Sequence, residues 1–323
     1  RCSPTRAKSA SRSPWFAEPG QTSRQSRPPS GGLFLAGYIC DAILGITRSE
    51  GAGMSGRIQR LVEQVNQVPG WRHWRMARFE QAFRAGQAIG CFRGHYASYE
   101  LAEAATPRDA PLGYDHDDAG RMYRDRLDSL YPGDYPMVAW LGKALAEGAR
   151  DIFDLGGHIG LSYYTYQKVL NYPSGLRWRV HDVPSVMDAG RAEARGRDPS
   201  GRLSFEDRFD AASGADVLFT AGCLQYLRET LPEKLAALQR RPEWVLVNLL
   251  PLHLERSYWT VQSIGTAFCP YRVQRDREFF DGLATLGYQL EDRWENLEKR
   301  CWVAFDPAHS LDRYHGAAFR LAR

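Results

Sequence analysis

The residues of this 323-residue chain that could do chemistry concentrate in the stretch RDIFDLGGHIGLSYYTY, which begins at Arg150. The short apolar run DIFDL predicts a strand, and the glycine-rich turn after it leads into a predicted helix. Asp154 stands near the end of the strand, and Gly156, Gly157 and Gly160 stand in the turn. Such glycines let the backbone approach a ligand, and free N–H groups at a helix start favour an anionic group. The stretch therefore predicts a ligand site.

Three ligands compete for this turn. A nucleoside-triphosphate loop requires G-x-x-x-x-G-K-[ST], and no lysine is present at that spacing. A dinucleotide turn requires G-x-G-x-x-G, but counted from Gly156 its later glycines are replaced by His158 and Leu161. S-adenosylmethionine is usually held by an acidic residue followed by glycines at alternate positions, which agrees with Asp154, Gly156 and Gly160. Because this cofactor carries no phosphate, it needs no lysine, and we expect Asp154 to attract its ammonium group.

Further candidate residues follow the next strands. Asp182, at the end of the predicted strand RWRVHD, can accept hydrogen bonds from both ribose hydroxyls, although it can also cap the following helix. Glu206 or Asp207, after a weaker strand, can meet the adenine amino group, although charged loop residues are usually just solvated. Gly222 and Leu224, after the strand ADVLFTA, are expected to line the cleft. Ligands of open α/β sheets bind outside the carboxyl ends of the strands, where all of these residues fall.

The catalytic base is the least determined part of the site. Alignment of acceptor and methyl group supplies much of the rate in methyl transfer, and a base helps a hydroxyl acceptor further. His253, after the fifth strand, is the preferred candidate, and His158 and His95 are alternatives. The cysteines form no C-x-x-C pair and the histidines no H-x-x-x-H pair, so the sequence predicts no metal ligand.

The elements that position these residues alternate. From residue 150 onward, strands and helices follow one another every ten to fifteen residues, which indicates βαβ units and a parallel sheet covered on both faces. Residues 54–149 are predicted to be mostly helical, with an amphipathic helix from Ile58 to Val68 and another over WRHWRMARFEQAFRAG. Residues 1–53 are expected to be a disordered or non-native leader ahead of Met54. Deletion of residues 1–53 should leave folding and activity intact.

Charge excludes several classes of function. The net charge of +4 resides in residues 1–53, so the rest of the chain is formally neutral and predicts neither nucleic-acid binding nor membrane insertion. The apolar run GGLFLAGYICDAILGI is too short and too broken to span a bilayer. Six scattered cysteines favour reduced, mostly buried thiols in a cytoplasmic protein.

The segments DLGGHIG, VHDVP and ADVLFTAGCLQYL resemble the cofactor motifs of class I S-adenosylmethionine-dependent methyltransferases, and DVP is similar to the DLP of plant-type O-methyltransferases. FRGHYASYELA, NLLPL, TVQSIGTAFCPYRV and YHGAAF resemble a bacterial family of uncharacterised methyltransferases, over about residues 71–319. His158 departs from the general class, which usually carries glycine there. Because members of the family often accompany surface-polysaccharide genes, the resemblance implies a sugar hydroxyl as the methyl acceptor.

The sequence therefore predicts an α/β protein with a Rossmann-like, seven-stranded methyltransferase sheet over residues 150–323 and a helical N-terminal portion over residues 54–149. The expected activity is methyl transfer from S-adenosylmethionine to a small molecule, with the oligomeric state left open. SYWTVQ, AFCPYRV and residues 92–99 and 113–115 are assigned to the acceptor pocket or its lid. Two alternatives remain, namely a methyltransferase-like scaffold without catalysis and a nicotinamide oxidoreductase.

Overall fold

The computed structural model describes residues 69–108, 111–113, 115 and 127–322. The helices are α1 (Pro69–Arg84), α2 (Tyr99–Ala104), α3 (Tyr135–Ala146), α4 (Leu161–Tyr166), α5 (Pro184–Arg197), α6 (Leu231–Ala236) and α7 (Asp276–Thr285). The strands are β1 (Phe92–Tyr96), β2 (Asp151–Leu155), β3 (Arg177–His181), β4 (Leu203–Phe205), β5 (Val217–Ala221), β6 (Trp244–Leu250), β7 (Leu252–His253), β8 (Tyr258–Ser263), β9 (Phe268–Arg275), β10 (Tyr288–Asn296) and β11 (Tyr314–Leu321). The predicted leader 1–53 and the predicted helix from Ile58 to Val68 lie outside the described residues.

Seven strands form the main sheet, in the order β10-β11-β6-β5-β2-β3-β4. Strands β2 to β6 run parallel to one another, whereas β11 runs antiparallel to both β6 and β10. All five residues of β2 are buried, because this strand lies inside the sheet with helices on both faces. The predicted fold class, an α/β protein with a seven-stranded Rossmann-like sheet, is confirmed.

Two hydrophobic clusters cover the two faces of this sheet. One contains Leu141 of α3, Tyr163 of α4 and Val186 of α5 against alternate residues of the strands. The other contains Leu235 of α6 and Phe279 of α7 against the remaining residues. Because side chains of a strand point alternately to its two faces, the apolar runs of β5 and β6 supply both clusters.

A second, four-stranded sheet has the order β1-β8-β9-β7. β1 pairs with β8 and β8 with β9, both antiparallel, and β7 pairs with β9 in parallel. One face of this sheet packs against Phe79 and Phe83 of α1. The other packs against the segment from Cys301 to Leu311 and against Tyr314 of the main sheet.

The predicted helical N-terminal portion is confirmed, and one strand of the second sheet lies within it. Helices α1, α2 and α3 are present, but FRGHY forms strand β1, which pairs with β8 far along the chain. The helix predicted to follow the glycine turn begins in the segment LSYYTYQKVLNY and ends at Tyr166, half-way along that segment. The hydroxyl of Tyr172 donates to the backbone oxygen of Tyr163 at 2.9 Å, so the rest of the segment folds back over the helix.

Local contacts complete the fold of the described residues. Thr230 and Glu233 form a capping box at the start of α6. Cys223, Cys269 and Cys301 are free thiols. Within the described residues, no helix is both long and apolar enough to cross a membrane.

Candidate functional site

The glycine turn after β2 is fixed first by its own packing. Gly156 has a φ of 73°, a conformation that favours glycine, and its N–H donates to the backbone oxygen of His181 at 2.8 Å. A Cβ atom at Gly156 would lie 2.2 Å from the Cβ of Cys223, and one at Gly157 would lie 2.4 Å from Oδ2 of Asp154. At Gly160, with a φ of 91°, a Cβ would lie 2.7 Å from a methyl group of Leu203. All three glycines are therefore required even without a ligand.

His158 occupies the one position of this turn where the sequence departs from the general pattern. Its φ is 56°, in the left-handed region, so the backbone here has the conformation that glycine adopts most easily. The side chain is only 9% exposed, and it forms part of the wall of a cavity beside the turn. The structure thus combines a glycine-type backbone with a buried imidazole at the wall of the cavity.

Asp154 lies at the bottom of this cavity and is 1% exposed. Its Oδ2 accepts a hydrogen bond from Nε1 of Trp178 at 2.9 Å. The pKa of Asp154 is raised to about 7, chiefly by burial; the Trp178 hydrogen bond opposes this rise, and the negative charge of the nearby Asp182 adds to it. Asp154 is therefore close to half protonated near neutral pH. A cation bound beside it would favour its ionised form.

Asp182 directly follows β3, and its side chain faces the glycine turn. Oδ2 accepts a hydrogen bond from the backbone N–H of His158 at 2.9 Å, and Oδ1 accepts one from the N–H of Val183 at 2.7 Å. Burial raises the pKa of Asp182, although these two hydrogen bonds and the nearby imidazoles oppose the rise. The structure thus brings Asp154, Asp182 and the turn together at the carboxyl end of the parallel strands.

The other predicted cofactor residues lie at the same edge of the sheet with different surroundings. A carboxylate oxygen of Glu206 lies 3.7 Å from the guanidinium of Arg179. Asp207 is exposed and forms an ion pair of 2.6 Å with Arg191. These partners stabilise the loop after β4, and the structure gives neither carboxylate a position on the cavity wall.

Gly222 and Leu224 follow β5. Gly222 has a φ of 79°, and its N–H donates to the backbone oxygen of Asn248 at 3.0 Å. Leu224 is buried in the hydrophobic cluster that contains α6 and α7. Their neighbour Cys223 contacts Gly156, as described above, and burial raises the pKa of its thiol, with Asp182 and Asp154 adding to the rise. Sequence analysis did not single out Cys223, because a lone cysteine carries no spacing signal.

The cavity beside the turn has a volume of about 50 Å³. Its walls include Asp154, Gly156, Gly157 and His158 from the turn, and Ala221 at the end of β5. Small-molecule sites in proteins usually measure about 300–1,000 Å³. The space as it stands accommodates only a small part of a nucleoside cofactor.

Sequence analysis missed several wall residues of the cavity, among them Asp134 and Leu249. Asp134, at the end of the 3-10 turn Pro132–Asp134, accepts hydrogen bonds from the N–H of Tyr131 at 3.0 Å and the hydroxyl of Tyr166 at 3.4 Å. Leu249, near the end of β6, has a φ of 54°, which is rare for leucine. In the sequence, Asp134 resembles an ordinary helix cap, and Leu249 belongs to an apolar run that predicts a simple strand.

His253, the preferred base, has both ring nitrogens engaged elsewhere. Nδ1 accepts hydrogen bonds from the N–H groups of Glu255 and Arg256 at 3.0 and 3.3 Å. Nε2 lies 3.2 Å from the backbone oxygen of Ala308. These contacts give His253 a role in shaping the turn after β7, and the structure does not bring it to the cavity wall. His95 lies on β1 of the second sheet.

The segments assigned to the acceptor pocket come together in the second sheet. SYWTVQ and AFCPYRV contribute to β8 and β9, residues 92–96 form β1, and Leu112 forms a bridge with Phe268. This sheet packs against the segment that follows β5, where the ring of Tyr226 contacts Tyr271 and its hydroxyl donates to Gln262 at 2.8 Å. The second sheet therefore lies against the end of the strand whose last residue, Ala221, lines the cavity.

Several solved structures are similar to the chain, and they are methyltransferases. An O-methyltransferase family protein from Burkholderia thailandensis has 18% identity and a TM-score of 0.42, with 90% of this chain and 83% of that chain covered. The mitomycin 7-O-methyltransferase MmcR has 17% identity and a TM-score of 0.39, with 87% and 75% covered. The 1,6-didemethyltoxoflavin-N1-methyltransferase of Burkholderia thailandensis, solved with S-adenosylhomocysteine, has 18% identity and a TM-score of 0.39, with 68% and 95% covered.

No protein-family model and no curated protein matches the chain. At these identities and TM-scores, the similar structures assign no activity to this chain. The function must be inferred from its own residues.

Proposed function

We propose that this protein transfers a methyl group from S-adenosylmethionine to a small-molecule acceptor. The observation that supports this most is the pair of carboxylates, Asp154 and Asp182, placed on either side of a glycine turn at the carboxyl ends of parallel strands. Open α/β sheets bind ligands at that edge. The absence of a phosphate-binding lysine from the turn and the failed G-x-G-x-x-G spacing favour this cofactor over a nucleotide or a dinucleotide.

The donor set of the site fits this cofactor. The buried carboxylate of Asp154 would bind the ammonium group, because a cation offsets the cost of burying its charge. Asp182 would bind the ribose hydroxyls, since a carboxylate accepts several hydrogen bonds and two are used within the protein. Gly156, Gly157 and Gly160 let the backbone come close to the amino-acid part. When bound, the cofactor supplies a methyl group activated by a sulfonium centre.

The cavity must widen before the cofactor can bind. Its volume of about 50 Å³ lies far below that of ordinary small-molecule sites. His158 is the residue best placed to move, because its imidazole lines the cavity and its backbone conformation suits a smaller residue. We infer that rotation of this side chain accompanies cofactor binding.

The residues described here act by positioning more than by moving protons. Because His253 uses both ring nitrogens within its own turn, we do not assign it as the base. Alignment of an acceptor beside the methyl group can itself contribute several orders of magnitude in rate. We propose that the second sheet covers the acceptor, and the sugar-hydroxyl acceptor rests on the family resemblance alone.

Isothermal titration calorimetry of the full chain with S-adenosylhomocysteine tests the proposal. We expect saturable binding with one site, and Asp154→Asn and Asp182→Asn should each weaken it about tenfold or more, which is about 1.4 kcal/mol. Both substitutions keep an acceptor oxygen for Trp178 or His158, so the fold should persist. Asp207→Asn, in an exposed ion pair, is the matched control and should bind as the unmodified protein does.

A methyltransferase-like scaffold without catalysis is the second candidate, and the narrow cavity beside His158 favours it. Under this alternative, calorimetry detects no S-adenosylhomocysteine binding to the unmodified chain, and that result would contradict the proposal. Protection against thermal unfolding by NAD(H), without protection by S-adenosylhomocysteine, would instead support a nicotinamide oxidoreductase.

A further inference from the structure

Two histidines and an aspartate converge where β1 meets the segment from Cys301 to Leu311. Nδ1 of His95 lies 2.7 Å from Oδ2 of Asp306, and Nδ1 of His309 lies 2.8 Å from the same oxygen. The two imidazole rings are stacked, with centroids 3.8 Å apart and planes 11° from parallel. His95 belongs to β1, whereas Asp306 and His309 belong to the segment between β10 and β11. The fold thus joins one residue to a local D-x-x-H pair 211 positions away.

The three ligand atoms are available for coordination as a group. One oxygen and two Nδ1 atoms all lie within 4.8 Å of one another. In the hydrogen-bonded arrangement each neutral imidazole carries its proton on Nδ1 and donates it to the carboxylate. If each proton moves to Nε2 of its ring, both Nδ1 lone pairs become free for a cation and no proton is lost. The site then offers two neutral nitrogens and one negative oxygen.

The distances are close to those that a small cation requires. Zn²⁺ binds histidine nitrogen at about 2.0–2.1 Å and carboxylate oxygen at about 2.0–2.2 Å, which places tetrahedral ligand atoms about 3.3 Å apart. The two Nδ1–Oδ2 distances therefore need to lengthen by only about 0.6 Å. The side chain of His95 is 53% exposed, so its ring can swing out of the stack to reach this geometry.

His309 and its segment are held more firmly. The His309 side chain is only 13% exposed, its ring packs edge-on against Tyr258 with centroids 5.0 Å apart, and its backbone oxygen accepts a hydrogen bond from the Tyr258 hydroxyl. Asp306 is held next to it by the 3-10 turn that contains His309. Two ligands are thus preorganised, which lowers the cost of ordering the site, and the third is mobile enough to complete it.

We propose that His95, Asp306 and His309 form a binding site for a divalent transition-metal ion, with Zn²⁺ as the preferred ion. Two histidines and one carboxylate suit borderline metals such as Zn²⁺ better than Mg²⁺, which prefers oxygen ligands and retains its water. The ion would tie β1 to the segment Cys301–Leu311 and so stabilise the second sheet. This proposal departs from the sequence prediction, which named no metal ligand, and it does not depend on the proposed methyl transfer.

Equilibrium dialysis of the full chain with ZnCl₂, after chelator treatment and with metal content measured by mass spectrometry, tests the proposal. We expect one tightly bound Zn²⁺ per chain that a hundredfold excess of MgCl₂ does not displace. His95→Gln, Asp306→Asn and His309→Gln should each weaken this binding about a hundredfold. His253→Gln is the matched control, because His253 bonds the same segment through Ala308 but lies outside the cluster, and it should retain full binding.

Thermal unfolding gives a second readout that separates lost binding from lost folding. Zn²⁺ should raise the melting temperature of the unmodified chain and of His253→Gln, but not that of His95→Gln. Because the His95 side chain is exposed, its replacement should not disturb folding, and the missing shift would reflect lost binding. The proposal is overturned if the unmodified chain takes up no more Zn²⁺ than the variant lacking all three ligands. It is equally overturned if His95→Gln folds normally and binds Zn²⁺ as tightly as the unmodified chain.

Discussion

The carboxylate of Asp182 accepts a hydrogen bond from the backbone N–H of His158 at 2.9 Å, which joins the end of β3 to the glycine turn after β2. His158 makes this contact with a left-handed backbone, at a φ of 56°. The contact holds the turn in place at a residue of the cavity wall. A wall residue of the cavity is therefore fixed by the carboxylate that we propose binds the ribose.

Replacing His158 by glycine should therefore improve cofactor binding. The substitution keeps the N–H donor to Asp182 and removes the imidazole from the cavity wall. We expect S-adenosylhomocysteine to bind about tenfold more tightly, measured by isothermal titration calorimetry. Stability should change by no more than about 1 kcal/mol, because relief of the left-handed conformation offsets the added freedom of the unfolded chain.

The matched control for this prediction is His158→Ala, which removes the ring but keeps the unfavourable backbone conformation. Its cofactor affinity should approach that of the glycine variant, while its free energy of unfolding should be lower. If neither variant binds more tightly than the unmodified protein, the imidazole does not restrict the site.

The main sheet was predictable because its signals are local. The apolar runs that became β2, β5 and β6 are bounded by turn residues, and each is recognisable within a few positions. The glycine turn could also be located, since the residues that require glycine there come from the same βαβ unit and the next strands. Alternation of strand and helix then determines a parallel sheet.

The second sheet and the histidine cluster could not be predicted, because their contacts join residues that are far apart in the sequence. Phe92 of β1 pairs with Gln262 of β8, and His95 meets Asp306 across 211 positions. Pairing over such distances depends on the whole fold, and nothing in the spacing of either segment indicates the other. Asp134 was missed although its signal is local, because an aspartate just before a helix is usually a cap.

The free energy of unfolding should depend on the protonation of Asp154. Its pKa is about 7 in the folded protein, against 3.8 for an exposed aspartate, so the folded state retains a proton that the unfolded state has lost. Stability from this group is therefore greatest below pH 4 and falls by up to about 4 kcal/mol as the pH rises to 7. Urea denaturation of the ligand-free chain between pH 4 and pH 8 measures the fall.

Asp154→Asn should remove this part of the pH dependence, because the amide does not titrate and still accepts the Trp178 hydrogen bond. Asp207→Asn, with its exposed carboxylate, should leave the profile unchanged. A profile for Asp154→Asn that matches the unmodified protein would show that Asp154 does not hold the proton.

Gly156→Ala should destabilise the protein strongly, since the new methyl group would lie 2.2 Å from the Cβ of Cys223 and φ is 73°. We expect a loss of about 3 kcal/mol in the free energy of unfolding, from crowding and from the left-handed backbone together. The double variant Gly156→Ala/Cys223→Gly should recover part of this loss, because it removes the crowded side chain. Chemical denaturation of the four proteins of this cycle measures the coupling, and a coupling of zero would contradict the proposed contact.

The hydrogen bond between Tyr271 and Tyr314 joins the two sheets and should stabilise their packing. The hydroxyl of Tyr271 on β9 donates to the hydroxyl of Tyr314 on β11 at 2.6 Å, and both side chains are buried. Tyr271→Phe leaves the buried Tyr314 hydroxyl without this donor, which should cost about 1–2 kcal/mol. The double variant Tyr271→Phe/Tyr314→Phe should cost less than the sum of the two single variants, because it leaves neither hydroxyl of the pair behind. Urea denaturation measures the three changes, and strict additivity would show that the two hydroxyls do not interact.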